Sequence, residues 1–562
     1  MENVPGTEFF GDSRIGGKAS GLVSIIDGLR NRGSNISFPM DVSVPEFSVI
    51  TTEFFLDFVQ RNDLMSYADG NDPDDRIAMA FMKGEMSPIL TGELWKFVRK
   101  THEPVAVRSS SLLEDDLKSP LAGIYQTKMI PNNQPSDEIR FRKLIEAVKL
   151  VWASTYFSDS WEFHRGMGGS ASEETMAVIL QKVVGRRYGN RFYPLISGVA
   201  RSFNYYAFGK AKPSDGVVNL ALGLGKSIVD GGLCWSYSPA NPKAPPPFGS
   251  VGDMLKGTQS TFWAINMERI TVYDPVKETE YMISSRLEDA DYDDTLKFVA
   301  STYLPESDRL VHGTGRKGPK VVNFAPILDD RIIPLNDAVR AVLDLCSEEA
   351  NGPVEIEFAV MGPGQSEDAS LGLLQVRAIA AFSEEVDISE ADLQGERTVA
   401  RSRHALGNGI TEIQHVVYVK PESFSTSKTR QIATEIAGIN RKLSEENHGY
   451  LLIGYGRWGS SDPWLGIPVT WGHISCAKAM IEISGPRMRV ELSQGSHFFH
   501  NLSSFGVGYL SVNEPLDGPV NLDIISAGST IVHETEHVRC LKIPDGIIVK
   551  IDGRKGLGVI LR

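Results

Sequence analysis

Cysteine is scarce in this chain, and its cysteines lie far apart. The four among 562 residues, Cys234, Cys346, Cys476 and Cys540, show no C-x-x-C spacing. Neither a disulfide framework nor a cysteine-rich zinc site is therefore expected, and a reducing compartment fits this usage. No apolar run approaches the ~18 residues of a membrane span, and the N-terminal segment has no signal-peptide pattern. The sequence therefore predicts a cytoplasmic protein without a membrane partner.

Positive charge is also in short supply. The chain carries 57 Lys and Arg against 71 Asp and Glu, which gives a formal net charge of -14. General nucleic-acid binders present basic surfaces, so a nucleic-acid partner is not expected. A nucleotide site is compatible with this balance, because a few cations and backbone N–H groups suffice to hold phosphates.

Helical and strand patterns alternate along the chain, which predicts a mixed α/β (α+β) protein. A helix is expected to follow the glycine turn at residues 15–17, and further helices are expected near residues 290–302, 336–350 and 473–483. The acidic run "SEEVDISEADLQGERT", residues 383–398, is expected to be a linker. Beyond it, residues 395–562 are predicted to form a smaller α/β domain of unknown role.

Two strand patterns near residue 360 carry the most informative polar residues. In "VEIEF" and "LLQVR", alternate residues face one side, so Glu355 and Glu357 share a face, as do Gln375 and Arg377. If these strands pair, two carboxylates, an amide and a guanidinium project from one ribbon. Such oxygen ligands suit Mg²⁺ when substrate phosphates complete its coordination. A solvent-facing strand pair with a surface salt bridge is the alternative.

Two shorter motifs also point to phosphate. Gly16-Gly17-Lys18 opens a predicted helix, where glycines, the helix N-terminus and a lysine suit an anion. "VAVRSSSLLED", residues 105–115, ends a predicted strand in Arg108 and three serines, and a turn around Gly123 follows. We expect the arginine and the serines to face a polyphosphate. The first motif is not a P-loop, because the lysine and hydroxyl of that loop are not at their required positions.

Together these fragments resemble one family. The segments "IGGKASGL", "VPEFSVITTEFF", "VAVRSSSLLED", "LAGIYQT", "SGVA", "GLGKSIVDGG" and "EIEFAV…LLQVRAI" follow the order seen in the ATP-binding domain of phosphoenolpyruvate synthases and pyruvate phosphate dikinases. The resemblance implies an ATP-grasp-like fold with two subdomains, residues 1–200 and 201–385. It also implies an ATP-dependent phosphotransferase that binds Mg-ATP between them. A non-catalytic, ATP-sensing regulatory module is the alternative.

The resemblance implies roles for the phosphate-binding residues. Lys18 and Arg108 are expected to grip the phosphates, and Arg108 is also a catalytic candidate. Gly123 and Thr127 are expected to lie on a mobile glycine-rich loop that closes over the triphosphate.

The same resemblance implies the adenine and metal contacts. Three consecutive residues are expected to form the hinge along the adenine edge: Gln181, Lys182 and Val183. Glu357 and Gln375 are expected to bind Mg²⁺ and the nucleotide. Arg377 is expected to lie beside the transferred phosphates and to act in catalysis.

The sequence departs from that family in ways that leave the phosphate acceptor open. Lys226 stands where relatives carry an acidic residue, and no phosphohistidine signature or pyruvate-binding barrel is found. We therefore do not expect this chain alone to make phosphoenolpyruvate, and we expect the unknown final acceptor to be a small molecule or a partner protein. His497, in "QGSHFFHN", is a candidate phosphoacceptor or general base. A structural histidine packed among phenylalanines is the alternative.

The segment "HETEH", residues 533–537, matches the H-E-x-x-H pattern of zinc peptidases. That motif requires a helix, so that both histidines share one face. Its neighbours are rich in β-branched residues, which predicts an extended segment. His533 and His537 would then lie ~13 Å apart, too far for one Zn²⁺. We therefore do not expect a zinc peptidase.

Overall fold

The computed structural model of the chain is a mixed α/β protein, as the sequence predicts. It describes residues 6–33, 37–70, 72–112, 114, 124–166, 174–204, 211–229, 232–244, 251–268, 273–364, 367–379, 386–460, 462, 464–486, 488 and 507–562. Two sequence-predicted site residues, Gly123 of the expected lid and His497, lie outside these ranges.

Within these ranges, residues 7–182 contribute six α-helices, all five strands of a first sheet, and one strand that joins a second, central sheet. The strands are β1 (Thr7–Phe10), β2 (Asp41–Ser43), β3 (Phe47–Ile50), β4 (Val105–Ser111), β5 (Thr127–Ile130) and β6 (Met176–Lys182). The helices are α1 (Gly16–Gly33), α2 (Thr52–Arg61), α3 (Asp74–Lys83), α4 (Pro88–Lys100), α5 (Asp137–Ala153) and α6 (Ser158–Gly166). The N-terminal sheet has the order β1-β3-β6-β4-β5, with only the β1–β3 pair parallel among these neighbours.

Helix α5 shows why this part of the chain folds as it does. Its first turn carries Asp137 and Glu138, whose negative charges interact favourably with the positive, N-terminal end of the helix dipole. Its last turns are buried and, apart from Lys149, apolar, and Trp152 near their end is fully buried. The Trp152 ring packs 6.1 Å from that of Phe55 and 5.0 Å from that of Phe58, both on α2. This aromatic contact fixes the two helices against the sheet that carries Arg108.

Residues 186–378 form the next group of strands and helices. The strands are β7 (Arg186–Tyr188), β8 (Arg191–Tyr193), β9 (Ile196–Arg201), β10 (Val217–Leu222), β11 (Trp235–Tyr237), β12 (Thr261–Asn266), β13 (Met282–Arg286), β14 (Ala300–Leu304), β15 (Arg309–His312), β16 (Lys320–Val322), β17 (Val354–Met361) and β18 (Ser370–Ala378). The helices are α7 (Lys226–Val229), α8 (Val251–Gly257), α9 (Leu287–Tyr292), α10 (Leu296–Val299), α11 (Ala325–Leu328) and α12 (Leu335–Glu349).

The central sheet has the order β11-β10-β9-β17-β18-β2. The subdomain boundary predicted at residues 200–201 falls inside β9, both of whose neighbours belong to this sheet. The division of residues 1–385 stays a prediction. Helix α12 confirms the helix expected near 336–350, whereas the one expected at 290–302 is wrong beyond residue 299. There β14 pairs with β15 and β16, because strand pairing outweighs the weak local helical pattern.

Residues 390–561 form the C-terminal part. Its strands are β19 (Thr398–Ser402), β20 (Ala405–Leu406), β21 (Gly409–Val419), β22 (Tyr450–Tyr455), β23 (Arg457–Trp458), β24 (Gly466–Ile467), β25 (Ala477–Ser484), β26 (Gly508–Asn513), β27 (Thr530–Glu534), β28 (Val538–Asp552) and β29 (Leu557–Leu561). Its helices are α13 (Glu390–Gln394), α14 (Thr429–Glu445), α15 (Glu514–Asp517) and α16 (Leu522–Ser526). The C-terminal sheet has the order β19-β29-β28-β21-β22-β25-β26-β20, with β27 paired to β28.

The helix expected near residues 473–483 is wrong. Most of that segment is β25, which runs parallel to β22 on one side and to β26 on the other. A central parallel strand is buried on both faces, so its sequence lacks the alternation that identifies a half-buried strand. The burial of Ala479, Met480 and Ile481 shows this directly.

The C-terminal part packs against the N-terminal part through α6. Thr470 Oγ1 donates a hydrogen bond of 3.1 Å to Asp159 Oδ1. Residues of both parts, such as Val178 and Val416, belong to one cluster of buried apolar side chains. Within the ranges that the structure describes, no helix combines the length and apolar character needed to cross a bilayer.

Candidate active site

The β17–β18 hairpin has the register that its sequence pattern predicts. Glu357 lies opposite Gln375, and Glu355 lies opposite Arg377, in an antiparallel pair. A β-bulge follows between Glu357 and Phe358. The four polar side chains thus form a compact group on one ribbon.

Arg108 joins the N-terminal sheet to this ribbon. It extends from β4, and its Nη2 donates to Gln375 Oε1 at 2.7 Å and to Glu357 Oε2 at 3.3 Å. Its Nη1 donates to Gln181 Oε1 at 3.1 Å and to the carbonyl of Leu374 at 2.8 Å. One guanidinium therefore contacts side chains of both sheets, as its planar set of donors allows.

A cavity of about 300 Å³ lies where the two sheets meet, and we call it the cleft cavity. Most of the sequence-predicted nucleotide residues line it: Lys18, Arg108, Thr127, Gln181, Lys182, Val183, Glu357 and Gln375. Lys226, the departure from the family pattern, lines it too. Residues distant in the sequence therefore converge on one concave site, the usual form of a small-molecule pocket.

Lys18 is held by an acidic residue that sequence reasoning missed. Its Nζ lies 2.7 Å from Glu114 Oε1 and 3.2 Å from Ser109 Oγ. Glu114 is almost fully buried and also accepts from the amide of Ser111 at 2.8 Å. The only sequence signal was an acidic residue in the segment that follows the serines. Because 96 residues separate the ion-pair partners, no local pattern predicts the contact.

The three serines after Arg108 do not face the cavity, contrary to expectation. All three are fully buried. Ser110 Oγ donates to the carbonyl of Ile15 at 2.8 Å and accepts from the amide of Ala19 at 3.1 Å. It thereby caps the start of α1, whose orphan N–H groups need acceptors. The serines fix the glycine–lysine turn.

Gly16 is required at that turn. Its φ is +77°, and a Cβ there would lie 1.9 Å from the carbonyl oxygen of Ser110. Only glycine tolerates both the left-handed backbone and the close approach of β4. The turn thus brings Lys18 to the edge of the cleft cavity.

Thr127 begins β5 opposite Arg108 and so lies in a strand, not in a loop. Its amide donates to Glu278 Oε1 at 3.1 Å, and Glu278 also lines the cleft cavity. Sequence reasoning missed Glu278, because nothing near it marks a site.

The expected hinge residues lie at the end of β6 beside the cleft cavity. The Lys182 ammonium pairs with Glu46 at 2.9 Å and with Glu103 at 3.0 Å. The Val183 amide donates to the carbonyl of Pro104 at 2.9 Å. These contacts hold the hinge in place, and a contact to adenine stays a prediction.

Arg377 does not line the cleft cavity. Its Nε lies 2.9 Å from Glu355 Oε1, and its Nη2 donates to Glu357 Oε1 at 2.8 Å. Glu355 in turn accepts from Arg201 Nε at 2.5 Å. Arg377 instead lines a second cavity of about 420 Å³, together with Gly17 and Glu114, which we call the rear cavity.

Arg201 is a further residue that sequence reasoning missed. It lies on β9 directly opposite Glu355. The only signal was its position in a predicted strand, and its partner lies 154 residues away. The pair of arginines on Glu355 stabilises a buried carboxylate beside the site.

A buried polar cluster lies behind Tyr125, which forms part of the cleft-cavity wall. His164 Nε2 lies 3.3 Å from the Tyr125 hydroxyl and 3.6 Å from Glu174 Oε2. Burial raises the pKa of Glu174 to about 7 and lowers the pKa of His164 to about 4. Burial also raises the pKa of Tyr125 well above its ordinary value. Glu174 and His164 are therefore both mainly uncharged near pH 6.

The Glu174→Gln substitution is expected to change how stability depends on pH. The folded pKa of Glu174, about 7, exceeds the ordinary 4.5, so the folded chain keeps a proton that the unfolded chain releases. The stability from this group is present below pH 4.5 and is lost as pH rises through about 7. The unmodified chain should therefore lose stability from this group between pH 5 and pH 8, and the variant should not. The difference in unfolding free energy between the two chains should shift by up to about 3 kcal/mol in favour of the variant over this pH range. Urea unfolding at both pH values measures this shift.

His164 contributes with the opposite sign, and both chains share its contribution. Its folded pKa lies below the ordinary 6.5, so its stability is present above pH 6.5 and is lost as pH falls through about 4. Glu138→Gln, at an exposed position on α5, is the matched control and should follow the unmodified chain. A Glu174→Gln variant with the same relative stability at both pH values contradicts the prediction.

The fold and the cleft define the class of protein. Two sheets enclose a cavity lined by cations, carboxylates and an amide, as expected for an ATP-grasp-like nucleotide-binding domain. The sequence matches the family described as "Pyruvate phosphate dikinase, AMP/ATP-binding domain" over residues 12–397. Because this match covers more than half of the chain, the protein belongs to that family.

A curated relative has a similar sequence over part of the chain. The "Uncharacterized phosphotransferase YvkC" of Bacillus subtilis (strain 168) is 25% identical over 190 residues. The match covers 34% of this chain and 20% of the relative. The chain therefore spans about a fifth of that protein's length.

Proposed function

We propose that this chain is an ATP-dependent phosphotransferase that binds Mg-ATP in the cleft cavity. One observation carries the proposal: Arg108 of the N-terminal sheet meets Glu357 and Gln375 of the central sheet across that cavity. Membership of an ATP-binding family supports the nucleotide, and the relative's name supports phosphate transfer.

The cavity residues suit the charge pattern of a metal-bound triphosphate. Lys18, Arg108 and Lys226 supply positive charge to the phosphates. The Glu357 and Gln375 oxygens both contact Arg108 Nη2, so they converge on one point. Hard oxygen ligands that converge in this way fit Mg²⁺, which would neutralise the charge between phosphates. We propose Glu357 and Gln375 as its protein ligands.

We place the phosphate acceptor on the side of the rear cavity. Glu357 faces Arg108 through one carboxylate oxygen and Arg377 through the other. The two arginines therefore flank one carboxylate, with Arg108 on the cleft cavity and Arg377 on the rear cavity. In this arrangement Arg377 would stabilise charge on the phosphate as it moves toward the acceptor.

Titration calorimetry and phosphorus NMR test the proposal together. The protein is expected to bind ATP more tightly with Mg²⁺ than without it, and to convert it to ADP or to AMP and phosphate when an acceptor is present. If His497 is that acceptor, acid-labile phosphate should appear on the protein and disappear in His497→Ala. Absence of nucleotide binding contradicts the proposal.

The second outcome of this experiment is a nucleotide sensor. Binding of Mg-ATP without any product or phosphoprotein, across candidate acceptors, would favour a regulatory module. Lys226 in the cleft cavity is the observation behind this alternative, because it replaces an expected acidic residue with a cation. The Lys226→Glu variant separates the two ideas, since restored turnover in that variant would identify Lys226 as the block.

A further inference from the structure

A group of metal-ligating side chains lies in the C-terminal part, away from the cleft cavity. Glu435 belongs to α14, and Glu536 and His537 lie in the turn between β27 and β28. The ligand atoms of these three residues all lie within 4.8 Å of one another. The group includes the second histidine of "HETEH", but the segment forms a β-hairpin turn instead of the helix that a zinc peptidase requires.

His537 has the hydrogen-bonding arrangement of a metal ligand. The residue is only 3% exposed, and its Nδ1 lies 3.1 Å from the carbonyl oxygen of Ser423. A carbonyl only accepts, so Nδ1 carries the hydrogen and Nε2 of the neutral ring presents a lone pair. Metal-bound histidines characteristically donate their other N–H to such an acceptor.

The Nε2 atom of His537 is buried without a hydrogen-bond partner. It lies 3.6 Å from the carboxylate oxygen Oε1 of Glu536. Two acceptors that face each other at this distance repel unless a cation or a proton lies between them. The buried Nε2 atom without a hydrogen-bond partner is a second observation, beside the pair of carboxylates, that points to a ligand.

The two carboxylates are oriented by their neighbours. Glu435 Oε2 accepts from Thr535 Oγ1 at 2.6 Å and from the amide of His537 at 2.8 Å. Gln431 Nε2 donates to Glu435 Oε1 at 3.1 Å and to Glu536 Oε2 at 3.0 Å. Such outer contacts hold ligating carboxylates in place before a metal arrives.

Two neighbouring cations are engaged with a different acidic residue. Lys420 Nζ lies 3.3 Å from Glu534 Oε1, and Arg539 Nη2 lies 2.7 Å from the same oxygen. These contacts neutralise Glu534 and direct both cations to it, two residues before Glu536. Glu534 is therefore the acidic residue of this hairpin that serves as the matched control.

We propose that Glu435, Glu536 and His537 bind a divalent transition-metal ion, with Zn²⁺ as the ion that suits them best. One imidazole nitrogen and two carboxylates favour Zn²⁺ over Mg²⁺, which prefers oxygen ligands alone. Three protein ligands leave a coordination position for water, and the largely exposed Glu536 side chain keeps the site accessible. The ion joins the β27–β28 turn to α14.

The experiment is calorimetric titration of the full chain with ZnCl₂, without nucleotide and after removal of metals with a chelator. About one zinc ion per chain is expected. Glu536→Gln should weaken zinc binding at least about tenfold, whereas Glu534→Gln should leave it unchanged. Glu536 is exposed, so its variant is expected to fold. With Co²⁺ in place of Zn²⁺, visible absorption bands should appear and should change in His537→Gln.

Three results would overturn the proposal. The first is the absence of stoichiometric zinc binding to the unmodified chain. The second is equal zinc affinity in Glu536→Gln and the unmodified chain. The third is nitrogen-15 NMR showing hydrogens on both ring nitrogens of His537, with and without zinc. A proton, and not a metal ion, would then lie between His537 Nε2 and the Glu536 carboxylate.

Discussion

Replacing Glu357 with glutamine is expected to lower the rate of Mg-ATP consumption by about 100- to 1,000-fold, the usual loss when a key electrostatic group is removed. The carboxylate lies between two guanidinium groups, 3.3 Å from Arg108 Nη2 and 2.8 Å from Arg377 Nη2. An amide keeps the size of the side chain but loses the charge that a magnesium ion needs. Phosphorus NMR of ATP consumption, with calorimetry of Mg-ATP binding, measures the effect.

Glu367→Gln is the control for this substitution. Glu367 belongs to the segment that connects the same two strands and pairs with Arg186 at 2.6 Å, but its side chain is 62% exposed. Exposed pairs contribute little, so this variant should retain the activity of the unmodified chain. Equal rates in Glu357→Gln and the unmodified chain would rule out the proposed metal site.

Replacing Lys18 with methionine is expected to affect both stability and nucleotide affinity. The Lys18–Glu114 pair is buried, with side chains 10% and 1% exposed and atoms 2.7 Å apart. Removal of one partner leaves a buried charge, which typically costs about 3–5 kcal/mol of unfolding free energy. If Lys18 also holds phosphate, the affinity for Mg-ATP should fall about 100-fold, within the range of a lost charge-assisted contact.

A double variant separates these two roles. In Lys18→Met/Glu114→Gln both charges are absent, and the amide oxygen still accepts from the Ser111 backbone. Urea unfolding should show that most of the lost stability returns. Replacing both members of a buried ion pair costs far less unfolding free energy than replacing one member and leaving the other charge unpaired. Calorimetry should show that nucleotide affinity does not return. A double variant that regains affinity would make Lys18 a purely structural residue.

The hairpin was predictable from sequence because the residues that determine its pattern lie within two short segments of the chain. Alternation along two short strands places Glu355 with Glu357 and Gln375 with Arg377, and their register confirms this arrangement. The glycine–lysine turn was predictable for the same reason, since its glycines and its following helix are adjacent in the chain.

The remainder depends on contacts between distant segments. Four separate stretches of chain carry these residues, so Glu114 meets Lys18, and Arg201 meets Glu355, only in the folded structure. The serines of β4 look like phosphate ligands in sequence, but α1 packs on them and uses their hydroxyls. Strand β25 resembles a helix in sequence because burial on both faces removes its alternation. In each case the local sequence fits more than one interpretation, and only tertiary packing determines which of them is correct.

If a nucleotide binds in the cleft cavity as we propose, the pairing of cations with carboxylates there makes its binding an exchange of ions. Lys18 and Arg108 each already face a carboxylate, so an arriving triphosphate must compete with Glu114 and Glu357 for them. Free ATP would release those carboxylates next to its own negative charge, at an electrostatic cost. A divalent metal that enters with the nucleotide offsets this repulsion. We therefore expect the resting protein to discriminate against metal-free ATP before any chemistry begins.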